Sequence, residues 1–216
     1  MTMSLQNRVS PFGQVVATQA RGLFTGNRGV IHDPDTKTLL RRRWTTRAWI
    51  VCVCEFRGRR REVMGRNSPT GRAGWTELFF LDEVTALAAG HRPCFFCRRE
   101  AATDFLTCVR EVKKDQALKA PDLDSTLHGQ RLAVTGRTQP IAAEALPDLP
   151  DGSVIAFGER ACALRGGALY EWSFAGYGST LSPEKIPPVV QLLTPALTVS
   201  ALRQGYSPVW HASIGS

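Results

Sequence analysis

The sequence has no apolar run near the length of about 18 residues that a membrane-spanning helix needs. The first residues, 1–22, also lack the apolar stretch that follows the charged start of a secretory signal. Both absences argue against a membrane protein and against export. We therefore expect a cytoplasmic protein that has no membrane partner.

Several motifs of common enzymes are absent as well. The chain has no glycine-rich phosphate loop, no serine nucleophile elbow and no His-Glu-x-x-His zinc motif. It also has no internal repeat or low-complexity tract, and hydrophobic residues make up 43% of it, which is ordinary for a globular protein. No enzyme class follows from motifs, so any activity has to be argued from individual residues.

Cysteine is sparse, with six residues in a chain of 216. In a reducing compartment such a low density argues against a disulfide framework. Metal binding, redox exchange and plain burial are the roles that remain open for these thiols.

Lysine is absent between Arg41 and Arg99, where arginine is abundant. This segment holds 13 arginines and five acidic residues, so it alone accounts for the net charge of +8 of the whole chain. The planar guanidinium group suits phosphate and carboxylate better than an ammonium group does. Four aromatic residues that can stack on bases lie among these arginines: Trp44, Trp49, Phe56 and Trp75. The composition of this segment favours a nucleic-acid partner, DNA more than RNA.

Local patterns predict an α+β fold. A β-branched and aromatic run at 47–56 predicts a strand, and 57–60 would turn it into a second strand at 61–64, giving an antiparallel hairpin. Another short strand is expected at 76–80. The glycine-rich stretch 22–33 is typical of a loop.

Helices are expected on both sides of a Cys-x-x-Cys turn. Asp82 and Glu83 favour the start of a short helix that Gly90 would end. Apolar spacings of three and four predict an amphipathic helix from Cys97 to about Lys119.

Short elements follow in the second half of the chain. A helix is expected at 123–133, with His128 and Arg131 on one face, then strands near 153–157, 162–165 and 168–174 and a helix at 198–204. A boundary near residue 120 would divide a basic region, 1–120, from a C-terminal region, 121–216. A single continuous domain fits the same pattern.

The pair Cys94 and Cys97 is the strongest candidate site. Zinc prefers four soft or borderline ligands, and a Cys-x-x-Cys turn supplies two of them. Cys52 and Cys54 alternate on a strand and are candidates for a third ligand, as is His32 at the exit of a loop. Simple packing of these residues is the alternative at each position.

The residues around this turn carry a resemblance. A short strand, an alanine-rich helix and the phrase Gly90-His91-Arg92-Pro93-Cys94-x-x-Cys97 resemble the second half of the zinc module of Ada-type DNA methyl-phosphotriester repair proteins, over about residues 48–100. The resemblance implies a structural zinc held by four cysteines. The family's first cysteine pair is missing from 56–75, so Cys52 or Cys54 would have to replace it.

The whole chain also resembles a group of uncharacterised bacterial proteins, through phrases such as Gly-His-Arg-Pro-Cys. That second resemblance implies no activity.

Together these features predict a zinc-stabilised nucleic-acid-binding protein, with a role in DNA repair or processing. We expect phosphate contacts from six arginines: Arg59, Arg60, Arg61, Arg92, Arg98 and Arg99. One alternative is a metal-dependent phosphodiesterase or nuclease in which His32 or His91 is the base. A second is a metal-free interaction protein that carries a degenerate zinc module.

Overall fold

The computed structural model describes residues 4–58, 61–133 and 139–215. They form an α+β structure with two mostly antiparallel six-stranded sheets. The first sheet contains β1 (Gln6–Val9), β2 (Val15–Ala17), β3 (Phe24–Asn27), β4 (Ile50–Val53), β5 (Leu78–Phe80) and β6 (Arg92–Pro93), in the order β2-β1-β5-β3-β4-β6. The expected α+β class is therefore confirmed.

The second sheet is formed by the C-terminal half of the chain. It contains β7 (Gln139–Ala142), β8 (Val154–Phe157), β9 (Arg160–Arg165), β10 (Ala168–Ser173), β11 (Gly176–Thr180) and β12 (Val189–Leu192), in the order β11-β10-β9-β8-β12-β7. The helices are α1 (Glu83–Ala88), α2 (Arg99–Lys113), α3 (Ala120–Ala133) and α4 (Ala196–Arg203), with short 3₁₀ turns at Ala143–Asp148 and Pro183–Lys185. None of the helices in the described part of the chain is both long and apolar enough to cross a membrane.

Helix α1 begins and ends where its sequence predicts. The carboxylate of Asp82 accepts hydrogen bonds from the backbone N–H and the hydroxyl of Thr85, at 2.8 and 2.7 Å, and so caps the helix. Gly90 follows with a φ of +82°, a left-handed conformation that glycine adopts without strain. The local signals at both ends are thus sufficient to define this helix.

Strand β3 lies in the stretch that was expected to be a loop. Gly26 occupies this strand because a Cβ there would lie 2.1 Å from the carbonyl oxygen of Ile50 on β4. Here glycine permits a close approach of two strands and does not serve a turn. Residues 61–64 form no strand, and β4 pairs instead with β3, antiparallel, and with β6, parallel.

Residues from both sides of position 120 share the hydrophobic cores. One core packs Leu87 and Phe105 against Leu123, Leu197 and Tyr206. Another combines residues of α1 with residues of β8, β9 and the C-terminal segment. The two halves of the chain are therefore packed on common apolar clusters.

Two buried carboxylates at the start of α1, on Asp82 and Glu83, accept hydrogen bonds from the C-terminal part of the chain. Asp82 accepts from the hydroxyl of Tyr177 at 2.7 Å and from the backbone N–H of His211 at 3.1 Å. Glu83 accepts from the hydroxyl of Tyr206 at 2.6 Å and from the backbone N–H of Val209 at 2.9 Å. The guanidinium of Arg98 adds two further bonds to Glu83, at 2.8 and 2.7 Å. Every carboxylate oxygen in this pair of residues is therefore satisfied inside the protein.

We expect Glu83→Gln to destabilise the protein strongly. The side chain of Glu83 is fully buried and that of Arg98 is 7% exposed, so the substitution leaves a buried guanidinium without its counter-charge. Losing one partner of a buried ion pair costs about 3–5 kcal/mol. Urea unfolding of the purified variant measures this loss.

The matched control is Glu171→Gln, which removes an ion pair with Arg160 whose side chains are 43% and 41% exposed. Exposed pairs contribute about 0–1 kcal/mol, so this variant should unfold close to wild type. Equal losses of unfolding free energy in the two variants would show that the buried ion pair stabilises the protein no more than the exposed one.

A pH dependence is expected from His91, which is fully buried and packs on the rings of Phe80 and Trp49. Burial, with Arg28 and Arg131 nearby, lowers its pKa well below the usual value. The folded protein holds this ring neutral, whereas the unfolded chain takes up a proton below about pH 6.5. Stability is therefore present above that pH and is lost as the pH falls.

Urea unfolding between pH 7 and pH 5 should show a smaller loss of stability for His91→Gln than for wild type, whatever the variant's stability at pH 7. An unchanged slope would show that His91 does not contribute to the acid sensitivity.

Candidate metal centre

Three cysteines meet where the first sheet joins α2. Their sulfur atoms, on Cys52, Cys94 and Cys97, all lie within 4.8 Å of one another. Cys52 is on β4, Cys94 follows β6, and Cys97 precedes α2. Sulfur atoms at this separation are close enough to hold one metal ion.

Parallel pairing of β4 with β6 produces this arrangement. Val51 pairs with Pro93, and the backbone N–H of Cys94 donates to the carbonyl oxygen of Val51 at 3.0 Å. The next residue on each strand is a cysteine, so the register brings Cys52 beside Cys94. Cys52, the third sulfur ligand, is therefore about 40 residues before the turn in sequence, and the backbone pairing of β4 with β6 places it beside Cys94.

The Cys-x-x-Cys turn is itself hydrogen bonded. The backbone N–H of Arg98 donates to the carbonyl oxygen of Cys94 at 2.9 Å, and the N–H of Phe96 donates to its sulfur at 3.4 Å. The turn leads directly into the N-terminus of α2, where the helix dipole favours negative charge. Both features favour a thiolate at Cys94.

Hydrogen bonds within the cluster shift the pKa values of its thiols in opposite directions. Thiol donors on Cys52 and Cys97 lower the pKa of Cys94. The same bond to Cys94, together with burial, raises the pKa of Cys52. These opposite pKa shifts make Cys94 the thiol of the cluster that most readily becomes a thiolate. A bound cation would take all three as thiolates and release protons.

Two of the expected metal ligands lie outside the cluster. The sulfur of Cys54 is at the exposed end of the strand, 3.5 Å from the carbonyl oxygen of Leu23. His32 is buried, and its Nδ1 is bonded to the hydroxyl of Thr76 at 2.7 Å. His32 was expected as a ligand because it ends a loop; it lies outside the three-cysteine group, and its Nε2 is buried with no hydrogen-bond partner among the described residues.

The cluster offers three protein ligands and leaves a fourth position open. Among the described residues, no histidine, carboxylate or fourth cysteine joins it. The residues outside the described ranges contain no cysteine, histidine, aspartate or glutamate. A tetrahedral metal ion here would complete its coordination with water or with an external ligand.

The arginines expected to contact phosphate differ in their surroundings. Arg92 is buried in a two-bond ion pair with Asp124, at 2.9 and 2.7 Å, and Arg98 is buried against Glu83. Both guanidinium groups, which were expected to contact phosphates, are bonded to carboxylates within the protein. Arg61 is bonded to Glu77 at 2.7 Å. Arg99 is exposed, and Arg59 and Arg60 lie outside the described residues.

An aromatic and basic surface adjoins the cysteines. The ring of Phe96, inside the Cys-x-x-Cys turn, is 54% exposed and lies 5.1 Å from the ring of Phe56. The guanidinium of Arg57 lies over Phe56 at 5.0 Å, and Arg99 is exposed on the first turn of α2. Phe96 and Arg57 were not singled out from the sequence, although Phe96 could have been found from its place between the two cysteines.

Comparisons with protein-family models, with curated proteins and with solved structures find no match.

We expect the purified protein to bind about one metal ion per chain through three thiolates. Serine at Cys52, Cys94 or Cys97 removes a thiolate ligand and should abolish tight binding. Cobalt titration, followed by the thiolate-to-metal absorption, and metal analysis after dialysis both measure the effect.

The matched controls are Cys54→Ser and Cys108→Ser, whose sulfur atoms lie outside the cluster. They should keep wild-type stoichiometry. A wild-type stoichiometry near zero, or equal losses in the controls, would refute this assignment.

Proposed function

We propose that this chain is a zinc-stabilised nucleic-acid-binding protein that acts in DNA repair or processing. The observation that carries the proposal is the three-cysteine cluster, which lies within the arginine-rich segment and beside the exposed ring of Phe96. Three thiolates in a tight group suit zinc, because zinc accepts sulfur ligands at tetrahedral positions. The resemblance of residues 48–100 to the Ada-type zinc module supports the same metal.

Exposed arginines support the nucleic-acid part of the proposal. Among the described residues, the arginine-rich segment has exposed arginines that are in no ion pair: Arg41, Arg42, Arg43, Arg47, Arg57, Arg72 and Arg99. Unpaired guanidinium groups attract phosphate and release its counterions on binding. The segment therefore has cationic groups available for a polyanion even after its buried arginines are set aside.

Aromatic rings beside the cysteines favour the binding of unpaired bases by stacking. The exposed ring of Phe96 lies against the ring of Phe56. The guanidinium of Arg57 lies over Phe56, and Arg99 is exposed two residues after the end of the Cys-x-x-Cys turn. An aromatic platform flanked by cations is the usual arrangement for single-stranded nucleic acid, since every base has a face that can stack. We name Phe56, Arg57, Phe96 and Arg99 the turn surface.

We expect the zinc-loaded protein to bind single-stranded DNA with an affinity that falls steeply as salt rises. Arg57→Gln and Arg99→Gln should each reduce the slope of log affinity against log salt by about 0.7, the value for one phosphate contact on a single strand. Phe96→Ala should weaken binding by about 1–3 kcal/mol with little change in that slope. Fluorescence anisotropy with labelled oligonucleotides at several salt concentrations measures both quantities.

Arg160→Gln is the control, because Arg160 is an exposed arginine on β9 of the second sheet. It should bind like wild type. Salt-independent binding, or equal effects of Arg57→Gln and Arg160→Gln, would contradict the turn surface as the interface.

A further inference from the structure

A deep cleft lies at the other end of β4 from the cysteines. Its volume is about 1060 Å³, and its lining includes Arg28, which follows β3, Trp49, which precedes β4, and Gly90, which follows α1. Arg131 of α3 completes this wall. This volume lies slightly above the range of about 300–1,000 Å³ that is usual for small-molecule sites.

Two arginines in the lining of this cleft each have a buried nitrogen without a hydrogen-bond partner among the described residues. Arg28 is 2% exposed; it donates to Nε2 of His91 and to the carbonyl oxygen of Gly13, at 3.3 and 3.0 Å. Arg131 donates to the carbonyl oxygens of Gly90 and Arg47, both at 2.6 Å. Within the described residues, Nη2 of Arg28 and Nε of Arg131 have no hydrogen-bond partner.

Arg28, Arg43 and Arg131 line the cleft, and none of its described lining residues is an aspartate or glutamate. Asp124, which is paired with Arg92 outside this lining, partly offsets the charge of Arg131. Burial, with Arg131 and Arg43 close by, lowers the pKa of Arg28 to about 9. Burying a cation without a counter-charge is costly, so the folded protein holds a strong electrostatic preference for an anion at this point.

Local packing fixes the two guanidinium groups in place. Both lie over the ring of Trp49, at 4.1 Å for Arg28 and 4.3 Å for Arg131. A Cβ at Gly90 would lie 2.8 Å from Cδ of Arg131, so glycine leaves the space that this side chain fills. The positions of the cations are thus set by the fold before any ligand arrives.

The rest of the lining combines aromatic and apolar side chains with several glutamines. Trp44 is 39% exposed, and its ring meets that of His128 edge to face at 4.5 Å. Nδ1 of His128 is buried and has no partner among the described residues. Phe12 and Leu193 line the cleft as well. A ligand in this cleft could contact the guanidinium groups of Arg28 and Arg131 as well as the flat ring of Trp44.

We propose that this cleft binds a small molecule that carries a phosphate or a carboxylate on a flat ring system, of about mononucleotide size. The oxyanion is received by Arg28 and Arg131, whose planar donors match both phosphate and carboxylate. The ring stacks on Trp44. This site does not depend on the metal centre, because none of the three clustered cysteines lines the cleft.

Calorimetric titration of the full chain with four probes tests the proposal. The probes are adenosine 5′-monophosphate, adenosine, inorganic phosphate and 1-naphthoate. The first or the last should bind, and the tighter of the two identifies phosphate or carboxylate as the anion. Adenosine and inorganic phosphate should each bind about tenfold to a hundredfold more weakly than the better probe, since each lacks one half of the ligand.

Variants assign the binding to the cleft. Arg131→Gln and Trp44→Ala should each weaken binding about tenfold or more. Trp44 is partly exposed, so its variant keeps the test valid if Arg131→Gln fails to fold. Arg160→Gln, at an exposed arginine of β9 that does not line the cleft, should bind like wild type. No binding of any probe at about 1 mM, adenosine binding as tightly as its monophosphate and naphthoate, or Trp44→Ala binding like wild type would each overturn the proposal.

Discussion

The buried ion pair between Glu83 and Arg98 connects the parts of this structure that matter most. Arg98 directly follows Cys97, and Glu83 is the first residue of α1. The same carboxylate accepts from Tyr206 and Val209, so the cysteine turn, the helix and the C-terminal segment share one buried charge. The carboxylate of Glu83 is fully buried, and its charge is stabilised there by four hydrogen bonds. The position of Cys97 therefore depends on contacts made more than 100 residues later in the chain.

Charge in the arginine-rich segment has two different uses. Arg92 and Arg98 are structural, because buried carboxylates neutralise them. Arg57 and Arg99 are exposed near the cysteine turn. Arg28, which precedes the segment in sequence, is buried, and among the described residues its Nη2 has no hydrogen-bond partner. Net charge alone does not separate these groups, since the distinction is made by which residues lie opposite each guanidinium.

The sequence predicts those features that local chemistry determines. The cap at Asp82, the left-handed Gly90 and the amphipathic spacing in α2 are all local, and each was expected from its own neighbourhood. Strand β3 was not expected, because its glycine serves a contact with β4 that no local pattern reveals. The choice of Cys52 over Cys54 likewise follows from strand register, and the burial of Arg92 follows from Asp124 on a later helix. Long-range pairing, not propensity, determined what the sequence left open.

X-ray absorption at the metal edge of the zinc-loaded protein tests the central claim most directly. Three thiolates with one open position predict three sulfur neighbours at about 2.3 Å and one nitrogen or oxygen neighbour near 2.0 Å. Four sulfur neighbours would show that Cys54 or another thiol completes the site, and a first shell without sulfur would show that the cluster is not a metal centre.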